Sequence, residues 1–289
     1  MKARYIYGAL IAATMMFSSC SDFFDQDSDH VIFTDDYHLN QSSDTIYSLV
    51  GIMQKMQALG DRTILLGEVR GDLVDVTTAA NADLRQLSEF NISDDNRYNS
   101  PKDYYAVINN CNLYISRADT AIRNSANKSL FLREYAAAKA YRAWTYLQLV
   151  INYGRVPYYT EPITTKEQSE IKYEEKDIVD MCNTLIADIT PLAEVEIPQL
   201  GTIGVTDSRL LYFPIYILLG DLNLWAGNYK DAATAYYKYI TTANGGSSYF
   251  PTKATQSNWV NNEWTKISTS YQNCFYNESF NDQRELITM

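Results

Sequence analysis

Apolar residues recur at three- and four-residue steps along much of the chain, which predicts a series of amphipathic α-helices. The first predicted helix is capped by Asp44 and ends at Gly60. Its apolar face comprises Ile46, Leu49, Val50, Met53 and Met56. Residues 61–99 lack such a period and contain the polar run "NISDDNRYNS", so we predict loops with short elements there.

The second predicted helix has a start signal in "SPKD", with Ser100 as N-cap, Pro101 at the first helical position and Asp103 as a capping-box variant. Its apolar face comprises Tyr104, Val107, Ile108, Cys111, Tyr114, Ile115, Ala118 and Ile122. Cys111 lies among apolar positions and is therefore predicted to be a buried, unpaired thiol.

The strongest helix signal is "SLFLREYAAAKAYRAWTYLQLVINYG", which Gly154 ends. Its apolar stripe comprises Leu132, Ala136, Ala140, Ala143, Leu147 and Val150. The repeated alanines favour close approach of a neighbouring helix. A fourth helix is predicted from Asp177 to the residues before Pro191, with Cys182 on its buried face.

Residues 213–246 match the spacing of a tetratricopeptide repeat, a pair of antiparallel helices. The matching positions are Tyr216, Leu219, Gly220, Gly227, Tyr229, Ala232 and Tyr236. Asn223 replaces an aromatic residue of the pattern, and Asn244 stands where a proline is usual. The small residues allow the two helices to nest and the aromatic residues are predicted to fill the gap between them. Such a pair must stack on other helices to bury its second face.

The N-terminus predicts a bacterial lipoprotein signal peptide at residues 1–19. Lys2 and Arg4 precede an apolar stretch of about a dozen residues, too short to span a bilayer. "FSSC" then places Cys20 where diacylation and cleavage would make it the new N-terminus. The alternative is an ordinary secretory signal with an incidental cysteine. Residues 20–43 are acidic and polar and are predicted to tether the lipid to the folded body.

Charge and composition narrow the function. The formal net charge is −11, and removal of Lys2 and Arg4 with the signal peptide takes it to −13, which disfavours nucleic acid as a partner. His30 and His38 are the only histidines. No phosphate loop, nucleophile elbow or metal-ligand spacing is present, so we expect no enzyme activity, no cofactor and no metal site. Acid pairs such as Asp94 and Asp95 are more typical of solvated loops than of a glycosidase dyad.

Aromatic residues among Asn and Asp are the better functional signal. Sugar rings stack their apolar faces on flat side chains while their hydroxyls bond to polar groups. Segments 70–98 and 258–278 have that composition. The candidate ligand contacts are Arg70, Asp72, Asn81, Tyr98, Trp259 and Trp264. The opposing interpretation is that most of the 24 tyrosines pack in the helical core.

Several stretches together resemble the RagB/SusD family of surface nutrient-binding lipoproteins of Bacteroidetes. They are Cys20 with the acids after it, "GEVRGD" at 67–72, "FNISDDNRYNSPKDYYAVINNCNLYISRA" at 90–118, "KAYRAWTYLQLVINYGRVPYYTEP" at 139–162 and "LWAGNYKDAATAYYKYI" at 224–240. The most specific part is the helix that runs into Tyr153-Gly154 and Val156-Pro157.

The resemblance implies an all-α fold of tetratricopeptide-like helical repeats, with irregular loops and little strand, over residues 44–244. It also implies a lipid-anchored lid on a SusC-like TonB-dependent outer-membrane channel, which captures oligosaccharides or peptides without chemistry. Family members are longer, so residues 245–289 are expected to be the irregular start of a truncated C-terminal part. The tryptophan that some members carry after "RGD" has no counterpart in residues 72–95.

Three other functions stay open from the sequence. The helical repeat could serve as a protein–protein scaffold or adhesin on the cell surface. The chain could be a truncated fragment without function. A lipid-anchored glycosidase is the third and is disfavoured by the missing catalytic set.

Overall fold

The computed structural model describes Leu39 and residues 42–71, 74–198, 201–203 and 206–243. The predicted signal peptide, nearly all of the predicted tether and residues 245–289 lie outside this part of the chain. The helices within it are α1 (Ser42–Glu68), α2 (Ala82–Ser88), α3 (Lys102–Arg117), α4 (Leu132–Tyr153), α5 (Lys166–Ser169), α6 (Ile178–Ile189), α7 (Ile215–Trp225) and α8 (Tyr229–Ala243). The strands are β1 (Val156–Pro157), β2 (Glu175–Lys176), β3 (Thr202–Ile203) and β4 (Thr206–Asp207). The predicted all-α architecture with little strand is confirmed.

Helix α1 is longer than predicted. It begins at Ser42, before Asp44, and continues through Gly60 to Glu68, so the predicted stop at Gly60 is wrong. Leu59 and Leu66, on either side of the glycine, are both buried. Burying two leucines outweighs the cost of about 1 kcal/mol that a glycine imposes in a helix interior. Residues 61–68, predicted to be irregular, are therefore helical.

The start and end of α3 also differ from the prediction. Pro101 is the N-cap and no side chain caps the helix, so the predicted capping by Ser100 and Asp103 is wrong. Asp103 instead pairs with Arg62 of α1, at 2.6 Å, and Arg62 also donates to the Ser100 carbonyl. The helix ends at Arg117, and the predicted face position Ile122 lies in the loop beyond it, where its carbonyl accepts from Leu130 N–H.

Helix α4 packs against α3 and α6 and also contacts α1 and α7. Its predicted stripe is buried from Ala136 to Val150, which confirms that the alanines face the core. Gly154 ends the helix with a φ of 78°, a backbone conformation that glycine adopts readily, and its N–H donates to the Val150 carbonyl at 2.9 Å.

A buried polar cluster joins α3, α4 and α6. Arg142 of α4 is only 1% exposed and donates to Asn112 of α3 at 2.8 Å and to Asp188 of α6 at 2.7 Å. Lys139 pairs with the other oxygen of Asp188. Asn112 in turn donates to the carbonyls of Tyr159 and Glu161. The cluster therefore fixes three helices and a loop with respect to one another.

Helix α6 follows the sequence prediction. The carboxylate of Asp177 accepts from the N–H groups of Val179 and Asp180, both at 3.1 Å, as an N-cap should. Pro191 lies in the short 3₁₀ turn Thr190–Leu192 that follows the helix. Cys182 on α6 and Cys111 on α3 are free and buried, which confirms both predictions.

The predicted helix pair is present as α7 and α8. Gly220 lies against the ring of Tyr236, and a Cβ at Gly220 would be 2.2 Å from the Cε1 atom of that ring. Only a residue without a side chain allows this approach. Asn223, in place of the pattern's aromatic residue, is buried and donates to the Leu219 carbonyl at 2.8 Å. Tyr229 does not fill the gap between the helices but lies exposed.

Segment 155–177 is held against α3 and α4 by tyrosines. It contains the antiparallel pair β1–β2, with Val156 opposite Lys176. The Tyr105 ring stacks on Tyr159 at 5.8 Å, and its hydroxyl donates to the Pro157 carbonyl. The Tyr146 hydroxyl donates to the Tyr159 carbonyl at 2.7 Å. These tyrosines have structural partners, as the core-packing interpretation requires.

Candidate functional site

The candidate site is the surface of residues 69–99, the segment between α1 and α3. Val69 and Leu87 are buried with Leu66 in a small apolar cluster that attaches this segment to the end of α1. Helix α2 begins after Asn81, whose side-chain oxygen accepts from the Leu84 N–H at 2.9 Å. The short helix is therefore fixed by a cap at its start and a buried leucine near its end.

The structure brings together two of the predicted ligand contacts, Asn81 and Tyr98. The Asn81 amide donates to the Tyr98 hydroxyl at 3.3 Å. The Tyr98 ring packs against the apolar cluster of Leu66, Val69 and Leu87 and is partly buried. Its hydroxyl and the exposed Asn81 amide form a small polar surface at the N-terminal end of α2.

Asn96 organises this surface and was not singled out from the sequence. It is 3% exposed and donates to the Asp83 carbonyl and to the Gln86 side chain, both at 2.9 Å. Its side-chain oxygen accepts from the Tyr98 N–H at 3.0 Å. Residues 91–98 therefore run back along α2. No signal within "SDDNRYN" separates this asparagine from its polar neighbours, because its partners are up to 13 residues away.

Arg70 fastens the end of α1 to α4. Its Nη2 donates to the Asn152 side chain at 2.7 Å and its Nε donates to the Leu66 carbonyl. The guanidinium is partly buried by these contacts. Its predicted contact with a ligand stays a prediction.

Phe90 is the feature of this surface that sequence reasoning missed. It follows α2 with a φ of 55°, in the left-handed region, and its N–H donates to the Leu87 carbonyl while Asn91 N–H donates to the Gln86 carbonyl. This is a Schellman motif with phenylalanine at the position that usually holds glycine. The ring is nevertheless 72% exposed. A left-handed conformation costs an L-residue about 1–2 kcal/mol, so the backbone of Phe90 is strained and its side chain gains little burial in return.

Charged groups border the same surface. Arg97 pairs with Asp83 at 2.5 Å, and this hydrogen bond, with the charge attraction, raises the pKa of Arg97. Arg85 donates to the Thr78 carbonyl at 2.6 Å. The hydrogen bond from Ser93 lowers the pKa of Asp95. All three charges are exposed, so their pairs contribute little stability and remain accessible to a ligand.

Four predicted functional residues lie outside the described residues. They are Cys20, Asp72, Trp259 and Trp264. Their roles in lipid attachment and ligand binding stay predictions.

The described residues offer little for catalysis. Burial raises the pKa of the Cys111 thiol to about 12 and that of Cys182 to about 11, so both stay protonated and neither is a nucleophile at neutral pH. Within residues that the structure describes, no three His, Cys, Asp or Glu side chains are grouped so that they could hold a metal ion. No helix in this part of the chain combines the length and the apolar character needed to cross a bilayer.

Comparison with known proteins identifies the fold from structure alone. No family model matches the sequence, and no curated protein matches it either. A laminarin-binding SusD-like protein is 20% identical with a TM-score of 0.52, covering 69% of this chain and 43% of that one. A SusD superfamily protein from Bacteroides thetaiotaomicron VPI-5482 is 18% identical with a TM-score of 0.51, covering 69% of this chain and 46% of that one.

A third structure, a SusD-like carbohydrate-binding protein from Bacteroides fragilis NCTC 9343, is 17% identical with a TM-score of 0.50. The match covers 70% of this chain and 41% of that one. The chain thus spans less than half the length of each structure that it matches. The fold predicted from the resemblance to the RagB/SusD family is confirmed: this chain has the SusD-like fold.

Proposed function

We propose that this chain belongs to a non-catalytic capture protein that binds an oligosaccharide, or alternatively a peptide, on the surface of residues 69–99. Phe90 carries the proposal, because an aromatic ring that is exposed and stands on a strained backbone contributes little to the fold. Its flat face is suited to stacking on the apolar face of a sugar ring. The SusD-like fold and the carbohydrate-binding proteins among its structural neighbours support the same ligand class.

Polar groups at the other end of α2 would complete the site. Asn81 begins this seven-residue helix and Phe90 follows it, so the two are separated by about 10 Å of helix. The Asn81 amide, the Tyr98 hydroxyl and the Arg97 guanidinium offer donors and acceptors to sugar hydroxyls. Arg70 would position the surface through α1. Asp72, Trp259 and Trp264 remain proposed ligand contacts.

Binding calorimetry on the full chain tests the site, with laminarin as the first probe and a glycan array and a peptide pool after it. We expect Phe90→Gly to weaken binding of the best probe about tenfold, which corresponds to ~1.4 kcal/mol. The same variant should unfold at a higher temperature, because glycine relieves the left-handed strain of about 1–2 kcal/mol. A loss of affinity with a gain in stability is not expected of a residue with a purely structural role.

Two controls accompany this variant. Phe90→Trp keeps a flat ring and should retain binding. Ile171→Ala removes another exposed apolar side chain, outside the surface of residues 69–99, and should bind as the wild type does. The proposal fails if no glycan or peptide binds, or if Phe90→Gly binds as tightly as Ile171→Ala.

We also propose that Cys20 anchors the protein to the outer membrane through its lipid, and that a SusC-like TonB-dependent channel receives the ligand. The short apolar stretch before Cys20 and the acids after it support this location. Growth with an alkyne fatty acid should label the wild type, whereas Cys20→Ser should remain unlabelled and leave the membrane fraction. A channel protein should co-purify with the wild type in mild detergent. Labelling of Cys20→Ser would contradict the anchor.

A further inference from the structure

The surface of residues 69–99 carries an excess of negative charge. The segment contains six acidic residues against three arginines, with no lysine or histidine, so its formal charge is −3. The whole chain is acidic as well, with a formal net charge of −11. A local excess of one sign creates a potential that attracts or repels a charged ligand as it approaches. The charge of this surface therefore bears on which saccharides it binds.

Each of the three arginines already has a hydrogen-bond partner. Arg97 pairs with Asp83 at 2.5 Å, so these two charges largely cancel. Arg70 and Arg85 donate to uncharged oxygens, at 2.7 Å and 2.6 Å. An anionic group of a ligand would have to compete with these bonds to reach a guanidinium. The arginines therefore offset little of the negative charge that a ligand meets.

Three acids of the segment are exposed next to Phe90 and along α2. Glu89 precedes Phe90, whereas Asp94 and Asp95 lie in the turn that Asn96 fastens to the side of α2. Among the described residues, no ion pair neutralises any of these three acids. The turn runs beside α2, whose two ends hold the polar groups and the aromatic ring of the proposed site.

The fold gains little from these acids. Glu89 is the C-cap residue of α2, and the carbonyl end of a helix disfavours negative charge. The hydrogen bond from Ser93 lowers the pKa of Asp95, so this exposed carboxylate stays ionised at neutral pH. Exposed charges of this kind contribute little to stability, so their effect falls mainly on what approaches the surface.

We infer that this surface selects saccharides by charge, binding uncharged sugars and excluding sugars that carry anionic groups such as carboxylate or sulfate. The inference rests on the proposed function, because it concerns the ligand of the same surface. A saccharide that spans α2, ~10 Å long, passes Glu89 and the turn within about one Debye length at physiological salt. An acidic sugar is therefore repelled along its whole length, whereas a neutral sugar is not.

A matched pair of glycans tests the inference by binding calorimetry on the full chain. Laminarin is the neutral probe, and laminarin with its C6 hydroxyls oxidised to carboxylates is the acidic one. If laminarin does not bind, the neutral glycan with the strongest array signal replaces it and is oxidised in the same way. We expect the oxidised form to bind about tenfold more weakly at about 20 mM salt and about twofold more weakly at about 500 mM, because salt screens the repulsion.

Two variants locate the charges that are responsible. Glu89→Gln should reduce the ratio of the two affinities about threefold at low salt, because it removes a charge beside the ring. Glu167→Gln removes an exposed acid of α5, outside the segment, and should leave the ratio as it is in the wild type. An equal effect of the two variants would assign the repulsion to the whole chain and overturn the inference.

Other outcomes separate this inference from the proposed function. Equal affinity for the two forms, or tighter binding of the oxidised form, would overturn the inference and leave the proposed function standing. A difference that does not change with salt would overturn it too, because it would come from the lost C6 hydroxyls. Binding of peptides alone would also refute it. If no glycan or peptide binds, the proposed function itself fails, and the inference fails with it.

Discussion

Two regions of the molecule use polar side chains in opposite ways. One is the contact among α3, α4 and α6, and the other is segment 69–99. In the helical contact, the buried Arg142 donates to both Asn112, which is buried, and Asp188, which is partly buried. In the segment, Asn81 and Arg97 also have partners, but their polar groups stay at the surface. The polar groups of the helical contact stabilise the fold, whereas those of the segment are accessible to solvent.

Because of this difference, we expect one region to determine stability and the other to bear on the proposed binding. A buried charge that loses its partner cannot recover its hydration, so the helical contact tolerates little change. A surface hydrogen bond already competes with water, so a ligand hydroxyl can replace it at small cost. The proposed binding site uses only the polar groups of the segment, so substitutions in the two regions should affect different properties.

The largest effect should follow removal of the acid in the helical contact. Asp188→Ala leaves Arg142 buried without its charged partner, which should lower the free energy of unfolding by about 3–5 kcal/mol. Asp94→Ala removes an exposed acid of the segment and should change the free energy of unfolding by less than about 0.5 kcal/mol. Urea denaturation measures both. If the two variants were equally stable, the proposed difference between the helical contact and the segment would be wrong.

The same variant has a second readout in acid. Burial alone would raise the pKa of Asp188, but the charge of Arg142, with hydrogen bonds from Lys139 and Arg142, holds it below the ordinary 3.8. A carboxyl whose folded pKa is lowered stabilises the fold above its unfolded pKa and loses that contribution as pH falls through the folded pKa. The wild type should therefore lose more stability than Asp188→Ala when pH falls below about 4.

A smaller but still clear loss is expected from packing in the helix pair. Gly220→Ala places a methyl group against the Tyr236 ring, whose hydroxyl is held by Asp221 at 2.5 Å. Overpacking of this kind costs about 1–3 kcal/mol. Gly60→Ala is the matched control, because a Cβ there meets open space inside a helix and should add up to about 1 kcal/mol of stability. Thermal unfolding should shift in opposite directions, and a shift in the same direction would contradict the packing argument.

The smallest effect compares two N-caps. Asp177→Ala and Asn81→Ala each remove a cap worth about 1 kcal/mol to its helix. Because α6 packs within the bundle, Asp177→Ala should lower global stability by that amount. Asn81→Ala should instead speed amide exchange of residues 82–88, with little change in the urea midpoint. An equal loss of global stability in both variants would mean that the segment folds as one unit with the bundle.

The sequence alone predicted several features that depend on neighbouring residues, although the stop at Gly60 and the capping by Ser100 and Asp103 were wrong. The caps at Asp177 and Gly154, the alanine stripe of α4 and the Gly220–Tyr236 spacing are all local or periodic signals, and the structure has each of them. The sequence analysis placed Asn81 and Tyr98 in the same polar segment but did not predict that they pair. Local signals suffice here because helix geometry converts sequence spacing directly into shared faces.

Tertiary contacts decided the rest. Helix α1 passes Gly60 because leucine burial outweighs glycine's propensity, and Asp103 pairs with Arg62 of another helix instead of capping its own. Arg142 and Asp188 are 46 positions apart, and the bond between them exists only after the helices pack. The strained backbone and the exposed ring of Phe90 likewise depend on how residues 91–98 run back along α2. Sequence periodicity determined where the helices lie, and the free energy of packing them determined which polar and aromatic groups remained exposed.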